Sequence, residues 1–142
     1  MATYTTREVR AFRLPRGVEL VTALTRYCTV HKIQQACISG MGALHDPELG
    51  SYSFEEGTFG RLKLEGDWEL LVLNANVSLK DGAPFIHPHV VLGDPQGNVR
   101  GGHLFAAEVH VAEIYVHVMA GQALSRVPDD ETGLQLWKAE AL

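Results

Sequence analysis

From Pro84 to Leu104 the chain reads as a hairpin, and a hairpin at this point favours a fold of antiparallel strands. Pro84-Phe85-Ile86-His87-Pro88-His89 leads into Gly93-Asp94-Pro95-Gln96-Gly97-Asn98, whose residues tolerate tight or left-handed backbone. The chain then returns through Gly101-Gly102 to His103. Successive side chains of a strand alternate faces, so His87 and His89 project from the same one. The return arm can set His103 beside them. Three neutral imidazoles plus water make a familiar open metal site. The competing reading is three structural histidines that hydrogen-bond across the hairpin or a subunit contact. Pro88 has no N–H for a sheet ladder, so an edge, a bulge or irregular backbone is expected there.

The flanking chain extends the pattern. Thr6 to Leu14 suits a first strand near an edge, ended by Pro15-Arg16-Gly17. From Val18 to His31 the residues Leu20, Val21, Leu24, Tyr27 and Cys28 recur at three and four, the stripe of an amphipathic helix. Ile33 to Gly42 reads as a strand, Leu44-His45-Asp46-Pro47 as a turn, and Glu48 to Glu55 as the next strand. Phe59 to Leu64 follows, with Glu65-Gly66-Asp67 as a further hairpin signal. In Trp68 to Leu79, Leu71, Leu73, Ala75 and Val77 share one face, and Leu70, Val72, Asn74, Asn76 and Ser78 the other. The polar half of that second face predicts a site or a wet subunit contact. Val109 to Met119 is the last long strand, and Gly121 to Leu142 a polar tail with a strand-like piece at Leu134 to Trp137. One helix and seven or eight strands, mostly hairpin-connected, make the fold α+β with a largely antiparallel sheet. One helix cannot cover the edges and open face of such a sheet, so self-association is expected.

A chain of 142 residues bounds this to one domain, residues 1–142. No apolar run reaches the length of a membrane span, and Met1 to Arg16 lacks a signal-peptide core, so cytoplasmic residence without a membrane is the expectation. Cys28 and Cys37 lack a Cys-x-x-Cys spacing and read as buried free thiols. Lys and Arg number 12 against 17 acids, a net charge of −5, which works against phosphate-driven binding of duplex DNA. Arg7, Arg10, Arg13 and Arg16 are the densest cations. Glu113 is the most conspicuous acid, set inside an apolar strand. It is expected either to meet a cation, a donor or a metal-bound water, or to sit on an exposed face.

Several stretches together resemble the plant and prokaryote conserved (PPC) domain in its stand-alone prokaryotic form. They are Leu14-Pro15-Arg16-Gly17-Val18-Glu19-Leu20, Ile38-Ser39-Gly40-Met41-Gly42-Ala43-Leu44 and Gly66-Asp67-Trp68-Glu69-Leu70. With them go Pro84 to His89, Asp94, Gly97, Val99, Gly101-Gly102-His103-Leu104 and Ala112-Glu113-Ile114. Ala75 and Ala106-Ala107 depart from the family's usual glycines. The resemblance implies an α/β sandwich-like subunit, a homotrimer, and membership of a family of proposed DNA-binding proteins. The AT-hook of the plant forms is missing. The histidine arrangement is also similar to that of acetolactate decarboxylase, which holds zinc on three histidines. That likeness implies a divalent metal, zinc, on His87, His89 and His103. From position in the strand and hairpin alone, Glu113 is a candidate base or orienter of metal-bound water, and Arg100, just before the glycines, a candidate to hold a small-molecule carboxylate. Three readings follow: a trimeric metal-holding module of the DNA-binding family, a metal-dependent enzyme acting on a small oxygenated acid, and a metal-free trimeric scaffold.

Overall fold

The structure is a computed structural model and describes residues 3–139. Its elements in chain order are β1 (Thr5–Leu14), α1 (Leu20–Val30), β2 (Ala36–Ser53), β3 (Thr58–Lys63), β4 (Asp67–Lys80), β5 (Ala83–Gly93), β6 (Val99–Ala120), β7 (Arg126–Pro128) and β8 (Gln135–Trp137). β1 to β6 form one six-stranded sheet in the order β1-β6-β5-β4-β2-β3, and β7 and β8 form a separate hairpin. All strand pairs are antiparallel. An additional β2–β6 pairing closes β6, β5, β4 and β2 into a ring. The expected α+β class is thus met by a sheet curled on itself, with β1 and β3 left as flanks.

Closure explains the burial. Side chains pointing into the ring, among them Leu44, Leu49, Leu73, Val77, Leu92 and Ile114, are almost wholly removed from solvent. Each such side chain contributes roughly 1.5–3 kcal/mol relative to an exposed one. The helix turns Leu20, Leu24 and Cys28 onto this core and packs on β5 and β6. At 11 residues it would be marginal alone, so burial of that stripe holds it. Glu19 caps it, accepting from the N–H of Val21 at 2.9 Å and of Thr22 at 2.7 Å. Burial also pushes the Cys28 thiol up to about 11, so it stays protonated and inert. Cys37 differs from expectation and is exposed.

Two local expectations give way to irregular backbone. No turn occurs at Leu44–Pro47: β2 runs straight through, absorbing register shifts between Ala43 and Leu44, between His45 and Glu48, and between Glu48 and Leu49 against β6. Asp46 takes a positive φ of 46° within this irregularity. In β4 a register shift between Leu70 and Val72 exchanges the faces, so Leu70 and Leu73 are both buried while Leu71 and Val72 are exposed. The return arm of the histidine hairpin and the expected last strand are one element, β6, of 22 residues. The strand-like piece in the tail is β8; residues 140–142 of that tail lie outside the described residues.

The ring closes only because β2 and β6 approach without side chains between them. A Cβ on Gly42 would lie 1.9 Å from the Val111 carbonyl oxygen, and its φ is +152°. Such a contact cannot relax without opening the β2–β6 ladder. Gly42→Ala is therefore expected to cost at least about 3 kcal/mol by urea or thermal unfolding. Gly66→Ala sets the scale for a positive-φ turn glycine in open space and should lose only about 1 kcal/mol.

Candidate metal centre

His87 and His89 lie on β5, two residues apart, and His103 lies on β6 directly opposite His89. His103 is also opposite Gly50 of β2, so it sits where β6 passes from one partner strand to the other. A Cβ on the preceding residue, Gly102, would come within 2.7 Å of the Gly50 carbonyl oxygen, and this close approach fixes where His103 is presented. Pro88, between the two β5 histidines, points into the core. β5 meets β6 only over His89–Gly93, so the missing N–H of Pro88 falls where that edge has no ladder partner.

One nitrogen from each of the three rings lies within 4.8 Å of the other two. The Nε2 atoms of His87 and His89 are 3.3 Å apart. Ligands around a tetrahedral ion with metal–nitrogen bonds of ~2.0–2.1 Å stand about 3.3–3.4 Å from one another. The spacing therefore fits a shared ion as well as a long N–H···N bond. His103 Nδ1 is buried with no hydrogen-bond partner among the described residues. An orphaned buried nitrogen is costly. The donor set thus fits a divalent metal of borderline softness.

The electrostatics keep His87 and His103 neutral. Burial, then the Arg126 guanidinium and the neighbouring imidazoles, pull His87 down to about 4. Burial, then His89, Arg126 and Arg61, do the same to His103, also to about 4. Neutral rings offer the lone pairs a metal needs. Phe59 and Phe105 flank His103 at centroid distances of 5.6 and 4.8 Å and shield it from water. Asn74 stands opposite His89 and Asn76 opposite His87, so the polar half of β4 faces the triad.

The other two sequence candidates lie elsewhere. Arg100 is exposed near the hairpin tip, opposite Leu92, and its Nη1 donates to the Val99 carbonyl. Glu113 is exposed on the outer face of β6, opposite Arg13 of β1 and Met41 of β2. Neither is brought to the triad within the chain.

Two features escape sequence reading. Arg126, from the small hairpin, reaches β4 and bonds Asn76 and Ser78 beside His87. A second cluster joins His45, Asp67 and His110 from three strands, with His45 Nδ1 2.7 Å from Asp67 Oδ1 and the two rings stacked 5.1 Å apart. Only cross-strand register, which no local motif encodes, assembles either.

A curled antiparallel sheet with one covering helix and three converging imidazoles defines a small single-helix fold with a histidine cluster of metal-ligand type. The sequence profile of the Plants and Prokaryotes Conserved (PCC) domain matches residues 1–122, and the chain belongs to that family. A plant- and prokaryote-conserved (PPC) protein of Pyrococcus horikoshii is 39% identical, with a TM-score of 0.96 over 100% of this chain and 99% of that one. A metal-containing protein of Archaeoglobus fulgidus is 37% identical, with a TM-score of 0.92 over 96% and 97% of the two chains. A proposed DNA-binding protein of Bacteroides thetaiotaomicron shares the fold at 21% identity and TM-score 0.87, over 96% of each chain. No curated protein matches the chain.

The depressed histidines set a pH dependence for the metal-free protein. In the unfolded chain both rings titrate near 6.5. Between there and about 4 the folded state binds fewer protons than the unfolded one. Stability is therefore full above about pH 6.5 and falls as pH drops towards 4. Thermal unfolding of metal-free protein from pH 7 to 4 should show this fall, and a His87→Asn/His103→Asn double variant should flatten it. An equally steep fall in the variant would assign the effect to other groups.

Proposed function

We propose that the chain is a self-associating module that holds one divalent transition metal, zinc foremost, on His87, His89 and His103, with a coordination position left for a ligand. The observation that carries this reading is the convergence of three imidazoles at ligand spacing, one with an orphaned buried nitrogen. The metal-containing relative from Archaeoglobus fulgidus supports it. A bound metal would supply Lewis-acid polarisation of a ligand oxygen or a lowered pKa of bound water. The chain's own residues do the rest. Phe59 and Phe105 restrict water, and Asn74 and Asn76 offer amide groups on the same face. The reading treats residues 1–142 as one domain, because Arg126 ties the small hairpin to β4.

Self-association uses a different face. Met41, Leu71, Val111 and Tyr115 are large, apolar and roughly half exposed. Met41, Leu71 and Val111 line one shallow cleft with Glu113, and Tyr115 follows two residues along the same side of β6. A contiguous apolar patch on a closed sheet is the expected signature of a subunit contact, and a homotrimer is the assembly proposed. Duplex DNA is a poorer fit as ligand. The chain carries 17 acids against 12 Lys and Arg. Arg7 and Arg10 are also engaged by Glu8, at 3.2 and 2.7 Å.

Elemental analysis of protein purified without an affinity tag or chelator, alongside its solution mass, tests both parts. About one equivalent of metal per chain is expected, at three times the chain mass, with the metal lost and the mass kept in His89→Ala. Full metal retention in that variant would rule the triad out. A metal-free protein that also fails to reload would return the histidines to a structural role. Duplex DNA retention by the assembled protein should be absent at physiological salt; a bound fraction falling steeply with salt would instead restore the DNA reading.

A further inference from the structure

The chain has five more acids than bases, yet one of its least exposed cations has no carboxylate beside it among the described residues. Arg126 is half-buried, and its Nε donates to Ser78 Oγ at 3.1 Å, its Nη1 to the Gln135 carbonyl at 2.9 Å and its Nη2 to Asn76 Oδ1 at 3.0 Å. All three acceptors are neutral. Its guanidinium is held 4.9 Å from the Phe85 centroid and 5.8 Å from that of Trp137. Among the described residues no acidic oxygen lies within 4.0 Å of it. The contrast with Arg61 is direct, since Arg61 sits over Phe105 but pairs with Glu48 at 2.8 Å.

A guanidinium carries five N–H donors, so these bonds leave two, one on each terminal nitrogen. Two parallel N–H groups are what a carboxylate accepts. A half-buried cation is costly without a counter-charge. Its place matters as much as its state. Asn76, which anchors Arg126, is directly opposite His87. Arg126 is close enough to depress both His87 and His103. A dication on three neutral imidazoles would keep its full charge, and Arg126 adds one more beside it. Two neighbouring positive centres in a partly desolvated face call for an anion.

We propose that Arg126, held by Asn76, Ser78 and the Gln135 carbonyl beside the three-histidine site, is the carboxylate-binding residue for a small anionic ligand whose second oxygen meets the metal. The proposal rests on the metal reading for that second contact only. It moves the carboxylate-holding role from Arg100, which is exposed near the hairpin tip, to a residue preorganised by neutral acceptors and two aromatic faces. The ligand class is a small hydroxy or keto acid.

The test is thermal unfolding of the full chain, zinc-loaded and metal-free, titrated with lactate and with its neutral counterpart lactamide. Lactate should raise the unfolding midpoint of the zinc-loaded protein in a saturable way, and lactamide should not. Arg126→Gln should weaken the apparent affinity for lactate about tenfold or more with zinc content unchanged, and Arg126→Lys should recover part of it. Asn76→Asp is nearly isosteric and gives Arg126 an internal carboxylate. It should abolish the lactate response and keeps the test decisive even where Arg126→Gln fails to fold. An equal lactate response in Arg126→Gln or Asn76→Asp, an equal effect of lactamide, or no effect of lactate on either form would overturn the proposal. A protein that does not load zinc, yet is stabilised by lactate only while Arg126 is intact, would sink the metal reading and leave Arg126 as the anion site.

Discussion

The β2–β6 ladder is the contact on which the remaining structure depends. Without it, β1 to β6 would be an open sheet with one helix to cover a face. With it, β6, β5, β4 and β2 enclose their own core. The ladder runs from Ala36 opposite Val118 to Gly50 opposite His103, and it holds glycines where the backbones come closest. Side-chain burial supplies the gross stabilisation, but the absence of side chains at Gly42 and Gly102 decides that burial is achieved by closure. The departures from regular pairing in β2 belong to the same requirement. A strand that must bond β4 and β3 on one edge and β6 on the other bends by bulging.

That constraint also makes the site. His103 lies at the point where β6 leaves β5 and takes up β2, so the triad sits at a seam of the ring and not in the middle of a flat sheet. At the seam the β5 histidines keep their shared face, and Phe59 of β3 and Phe105 of β6 close over His103. Desolvation then keeps His87 and His103 neutral, which suits metal ligation and opposes a surface ion-pair role. The small β7–β8 hairpin, which contributes little to the core, brings a cation to this neutral cluster.

The sequence was legible where structure is local. Strand parity alone puts His87 and His89 on one face, and the Gly93–Asn98 turn returns His103 to His89. The helical stripe is equally local: Leu20, Leu24 and Cys28 are the residues that are buried. The same alternation puts Asn74 and Asn76 on one face of β4, where they stand opposite His89 and His87. Legibility ended where two remote segments decide the outcome. Leu44–Pro47 has turn composition, yet pairing on both edges keeps it in a strand, with Asp46 at positive φ absorbing the conflict. The shift after Leu70 breaks the face assignment of β4, because parity counting cannot see a bulge. Of the two settings expected for Glu113, the exposed face is the one found. Its own face is the outer one, shared with Val111 and Tyr115.

The two ends of β6 separate the two roles proposed for the chain. Its first residues, through His103, belong to the triad, whereas Val111, Glu113 and Tyr115 belong to the exposed apolar side further along. Both are fixed by the same ladder to β2, through Gly50 at one end and Met41 and Ser39 at the other. Assembly on the apolar side would therefore add contacts to the strand pair that positions His103 without touching the ligands. Binding at the triad would in turn tighten the seam where β5, β6 and β2 meet. The closed ring leaves little room for one element to move without its neighbours. Ligand binding and self-association are accordingly expected to support each other through rigidity of the ring, with any change of shape confined to the small hairpin that carries Arg126.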